Sequence, residues 1–139
     1  LKTQMDKSIE KGAKILIGGK QENAFFEPTI LTNVTPEMEV FQEETFGPLL
    51  AVTIFKTEKE AIELSNNSEF GLGVSIFTQN EARIQSMIPL LNEGAVFVNE
   101  FVKSDPRLPF GGIKNSGYGR ELSDDALFEF MNVKTVFIK

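Results

Sequence analysis

The chain contains neither cysteine nor histidine, and these two gaps remove more chemistry than anything else in its composition. Without cysteine there is no disulfide, no thiolate nucleophile and no zinc–thiolate site. Without histidine, the usual general base and the commonest metal ligand are gone as well. No catalytic residue and no metal site is therefore expected within these 139 residues. Tryptophan is also absent and tyrosine occurs once, against 13 phenylalanines, most of which are expected to supply buried area in a core. The longest apolar stretches, such as 49–55, fall far short of the roughly 20 residues that cross a bilayer, and no charged-then-apolar leader opens the sequence. The expectation is a soluble, cytoplasmic protein with no membrane partner. Excess positive charge is missing too: 14 basic residues stand against 20 acidic ones, for a net charge of -6. The lysines form no stripe that could displace counterions from phosphates, so nucleic acid is not an expected partner.

What is present reads as α/β. Leu1, Met5 and Ile9 recur every four residues among charged neighbours, without a capping residue before them, the pattern of a helix entered midway. Gly12 should stop it, and 13–17 should form a short strand before Gly18-Gly19. Residues 20–47 alternate weakly, with a strand expected near 29–34 and a loop over 38–47. Then 49–55 is a β-prone run, and Thr57-Glu58-Lys59-Glu60 supplies a capping box for a helix through Ser65. A second run, 74–78, precedes a helix started by Asn80 that carries Ala82, Ile84, Met87, Ile88 and Leu91 and is closed by Gly94. A third run occupies 95–99. Three runs joined by two helix-length crossovers predict a mostly parallel sheet with helices on both faces. Ser123 should cap a helix bearing Ala126, Leu127, Phe130 and Met131, and 132–139 should form a last strand. That gives a main body over 1–131 and a separate strand over 132–139.

Several motifs carry two readings each. Gly71 and Gly73 precede a strand, the wrong context for a dinucleotide fingerprint, and the cluster at 111–119 lacks the ending of a phosphate loop; both suit turns. Glu43 and Glu44 are either surface charges or a ribose anchor. An ionised carboxylate has only acceptor oxygens and can take both hydroxyls of a diol, while Phe46 offers an apolar wall. Gly47-Pro48 would fix where these side chains point. Phe110, between Pro109 and two glycines, either lines a pocket or plugs the core. Ser104, Asp105 and Arg107 surround Pro106 after the third run, at the strand end where parallel sheets place their sites. Arg107 could grip a substrate carboxylate or simply pair with Asp105.

Read together, four blocks resemble the aldehyde dehydrogenase superfamily in order and spacing. They are Glu43-Glu44-Thr45-Phe46-Gly47-Pro48, then Asn66-Asn67 with Phe70-Gly71-Leu72, then 94–99, then Pro109-Phe110-Gly111-Gly112-Ile113-Lys114-Asn115-Ser116-Gly117-Tyr118-Gly119-Arg120-Glu121. The resemblance implies the C-terminal part of a catalytic domain. The family's nucleophilic cysteine, general base and NAD or NADP domain would then lie outside this chain, which should be inactive alone. It implies that Glu44 holds the nicotinamide ribose, that Phe46 stands beside it, that Phe110 lines the aldehyde tunnel, and that Asn99 lies near the third strand's end. The segment 104–110 looks most like bacterial succinate-semialdehyde dehydrogenases, which implies that Ser104, joined or braced by Arg107, holds the distal carboxylate of a small aldehyde. The segment 132–139 resembles the family's oligomerisation strand and implies a homo-oligomer. The rival reading is a non-catalytic α/β module that keeps the fold for assembly or binding.

Overall fold

The computed structural model describes residues 1–139, and the chain divides into two compact units, Leu1–Ser68 and Glu69–Lys139. In the first, helix α1 (Lys2–Glu10) buries Met5 and Ser8. It ends before Gly12, whose φ of +112° turns the chain toward strand β1 (Lys14–Ile17). A small antiparallel hairpin, β2 (Gln21–Glu22) and β3 (Phe25–Phe26), leads into β4 (Thr29–Thr32). A short helix α2 (Glu39–Gln42) precedes β5 (Leu49–Ala51) and helix α3 (Glu58–Asn66). The sheet order is β1-β4-β5, with β1 antiparallel and β5 parallel to β4. Gly18 cannot be replaced cheaply: its φ is +78°, and a Cβ there would run into the backbone carbonyl of Pro28. The core beneath this sheet gathers Met5, Ala13, Leu31, Val34, Met38 and Val40, with Leu31 fully enclosed.

The second unit contains β6 (Val74–Ile76), α4 (Glu81–Met87) running into a 3-10 turn at Ile88–Leu90, β7 (Val96–Val98), a second 3-10 turn at Lys114–Ser116, and α5 (Asp125–Glu129). Strands β6 and β7 pair in parallel. No helix of either unit is long and apolar enough to cross a membrane.

The helix starts follow the sequence closely because they are local. Thr57 Oγ1 accepts from Glu60 N at 3.2 Å, and Asn80 Oδ1 from Arg83 N at 3.0 Å. Glu60 completes its half of the box one residue early, accepting from Lys56 N at 2.7 Å.

The sheets differ from expectation. The three apolar runs do not line up as one parallel sheet: β5 pairs with β4, while β6 and β7 make a sheet of their own. Each strand is also shorter than its run, and Ile54, Phe55 and Phe77, beyond the paired residues, are exposed. An apolar run records what a residue would bury in, whereas pairing depends on which edge is free, and periodicity carries no such information. Residues 132–139 form no strand; Val133, Val136, Phe137 and Ile138 are all exposed, and a ladder requires a partner edge. Ser123 sits just outside α5, accepting from Asp125 N at 3.3 Å, and Leu127, Phe130 and Met131 remain exposed. Both α2 and the β2–β3 hairpin fall in the weakly patterned stretch, too short to leave a periodic trace.

Candidate functional site

In the first unit the segment after α2 separates the two adjacent glutamates. Glu43 is tied down, its Oε2 accepting from Gln4 Nε2 at 3.0 Å, whereas Glu44 offers Gln4 only its backbone carbonyl, at 3.3 Å. The Glu44 carboxylate is exposed and engages no partner. Two residues on, Phe46 is 87% exposed with a φ of +45°. A left-handed backbone is uncommon for a bulky residue, and such strain persists where the surroundings over-determine it, often at functional sites. The loop closes onto the sheet through Thr29 N, which donates to the Pro48 carbonyl at 2.8 Å. A free carboxylate and an exposed aromatic ring thus stand two residues apart on a loop anchored at both ends. That pair fits a ribose diol joined to a flat heterocycle: acceptors for two hydroxyls and an apolar face.

In the second unit the glycine-rich blocks interlock as a scaffold. Gly71 N donates to Ser116 Oγ at 3.0 Å, and the Gly71 carbonyl accepts from Gly94 N and Ile113 N. A Cβ on Gly94 would collide with the Gly111 carbonyl, so the glycine at 94 serves close backbone approach. Sequence reasoning missed Arg120, whose Nη1 donates to the carbonyls of Gly112 at 2.9 Å and Gly119 at 2.7 Å. Phe110 and Glu121 exchange both backbone hydrogen bonds at 2.8 Å, which holds Phe110 half-buried. Phe110 lines a cavity of about 340 Å³ shared with Leu72, Tyr118, Arg120 and Phe130.

The Ser104–Arg107 loop is a tight turn in which Leu108 N donates to the Asp105 carbonyl at 3.0 Å. Arg107 Nε and Nη2 donate to the two Asp105 oxygens at 2.9 and 2.6 Å, and Arg107 N donates to Oδ1 at 3.0 Å. The guanidinium beside it holds the Asp105 carboxyl well below the usual carboxylate range. Arg107 is therefore paired as the sequence allowed, yet its side chain is 84% exposed, leaving the outer guanidinium edge open. Ser104 is exposed and its hydroxyl engages no partner. Arg107 lines a different cavity from Phe110, one it shares with Ser123, Asp124 and Asp125. Asn99 acts structurally, its amide bridging to Thr78 N and the Thr78 carbonyl, both at 2.9 Å, so that it locks the ends of β6 and β7 together.

Comparison with known proteins brings a consistent set. The family model described as "Aldehyde dehydrogenase family" matches residues 1–136. The chain is 47% identical over 137 residues to the succinate semialdehyde dehydrogenase [NAD(P)+] Sad of Escherichia coli, covering 96% of this chain and 30% of that protein. It is 44% identical over 138 residues to a succinate-semialdehyde dehydrogenase [NADP(+)] of Mycobacterium leprae, covering 97% and 30%. Among solved structures, the succinic semialdehyde dehydrogenase of Streptococcus pyogenes in complex with NADP+ superposes with a TM-score of 0.90 at 36% identity, covering 99% of this chain and 31% of that one. The chain thus spans about 30% of the length of the curated relatives it matches.

Proposed function

The chain belongs to the aldehyde dehydrogenase family, and from that premise we propose that it forms part of an enzyme oxidising succinate semialdehyde, or a similar short aldehyde, to the acid. NAD or NADP, when bound, accepts the hydride. Glu44 receives the nicotinamide-ribose hydroxyls and Phe46 walls the ring beside them. Phe110 lines the aldehyde's path, Ser104 donates to the distal carboxylate, and the outer edge of Arg107 supports it. The nucleophile comes from outside these residues, since the chain contains no cysteine; its base comes from outside as well, and the chain is inactive by itself. In the whole protein, which is cytoplasmic, the exposed runs complete a larger parallel sheet, and 132–139 leaves the catalytic body at 1–131 to pair in a homo-oligomer.

The observation that carries this reading is the unengaged Glu44 carboxylate held two residues from an exposed, left-handed Phe46. Three further facts support it: the family match, the semialdehyde relatives, and their named cofactors. The test is Glu44→Gln in the full-length protein. Charge-assisted hydrogen bonds lost from the ribose should raise the KM for NAD(P) roughly tenfold or more, with the KM for aldehyde little changed. An unaltered cofactor KM would remove the basis of the assignment.

A further inference from the structure

One face of α1 runs along the segment that carries Glu44. Leu1 fills the space a Gly47 Cβ would need. Gln4 Nε2 reaches Glu43 Oε2 and the Glu44 carbonyl at 3.0 and 3.3 Å. Ser8 Oγ donates to the Gln4 carbonyl at 2.8 Å and accepts from Val40 N at 3.2 Å. Lys11 Nζ donates to the Glu37 carbonyl at 2.8 Å and to Glu39 Oε1 at 2.9 Å. Positions 4, 8 and 11 fall four and three apart, on a single helical face, so these contacts form one seam down the helix. Within it, Gln4 alone touches both glutamates, and its two bonds differ in kind. It engages the side chain of Glu43 but only the backbone of Glu44.

Resting on the ribose-binding reading above, we propose that Gln4 is a positioning residue for cofactor binding. By occupying the Glu43 carboxylate and holding the Glu44 carbonyl, it decides which of two adjacent carboxylates is free and where that one points. A neutral amide suits this task. It donates without adding charge, whereas a lysine there would pair with either glutamate and a carboxylate would repel both. Residue 4 contacts no reacting atom in this role and acts through Glu44.

The test compares Gln4→Met, Glu44→Gln and the double variant in the full-length protein, reading the KM for NAD(P), the KM for aldehyde and the thermal midpoint. Methionine keeps the length of the side chain and removes its donors. Gln4→Met is expected to raise the cofactor KM roughly threefold to tenfold, the range for a lost hydrogen bond, with the aldehyde KM unchanged. In the Glu44→Gln background the same change should have little further effect, because its route to the cofactor is already gone. A full, additive Gln4→Met effect in that background would mean general destabilisation and would overturn the proposal, as would a wild-type cofactor KM for Gln4→Met where Glu44→Gln raises it. If neither single variant alters the cofactor KM, the ribose-binding reading itself fails and this inference falls with it.

Discussion

Arg107 is where charge and geometry pull in different directions. Its pair with Asp105 cancels its net charge locally, and Asp124 and Asp125 line the same cavity, so in the proposed role it would offer a carboxylate a shaped edge more than an attractive field. Replacing Arg107 with alanine should therefore raise the KM for succinate semialdehyde several-fold, on the order of a single exposed charge-assisted hydrogen bond. The KM for an uncharged aldehyde of similar length should not move; equal effects on both would show that the residue merely braces its loop. The pH dependence follows from Asp105. Its pKa is depressed in the folded protein, so the pair's contribution is present above the unfolded carboxylate value of about 3.9 and is lost only as pH falls through the lower folded value. Selectivity for the carboxylate should hence show no inflection from this pair between about pH 5 and 8. Residues 44, 46 and 107 could be proposed from sequence because a free carboxylate, an aromatic ring and a guanidinium each have a distinctive chemistry. Gln4 was not, since its partners lie 39 and 40 residues away and an exposed helix amide has no signature of its own.

At the scale of elements, the caps were legible and the pairings were not. Thr57 and Asn80 bond to amides three residues on, so the signal lies within one short window. The partner of β5 lies some 20 residues upstream, with Thr29 opposite Leu49, and no pattern within 49–55 names it. The same non-locality makes β4 the strand on which the first unit depends, because it pairs on both sides and carries the enclosed Leu31. Leu31→Ala should cost about 2–5 kcal/mol, read as a marked fall in the denaturation midpoint. The loss should reach the loop that carries Glu44 and Phe46 too, since Thr29 at the start of β4 holds Pro48. A midpoint within error of wild type would mean that the sheet does not set the stability of this unit.

For the molecule as a whole, the missing cysteine means that the thiolate of the proposed reaction would come from another part of the protein, and on that proposal these residues would shape the places where cofactor and aldehyde sit. The family was legible in the sequence because its blocks are contiguous runs, whereas the sheet order was not, because strand partners lie outside the runs themselves. The exposed Phe137 and Ile138 are apolar surface of the kind that another strand edge covers. The most direct measurement follows aldehyde-dependent formation of reduced nicotinamide by the full-length protein before and after complete alkylation of its thiols with iodoacetamide. Oxidation of succinate semialdehyde that is abolished by alkylation, with every label mapping outside these 139 residues, is the expected result. Undiminished oxidation after complete alkylation would contradict the account.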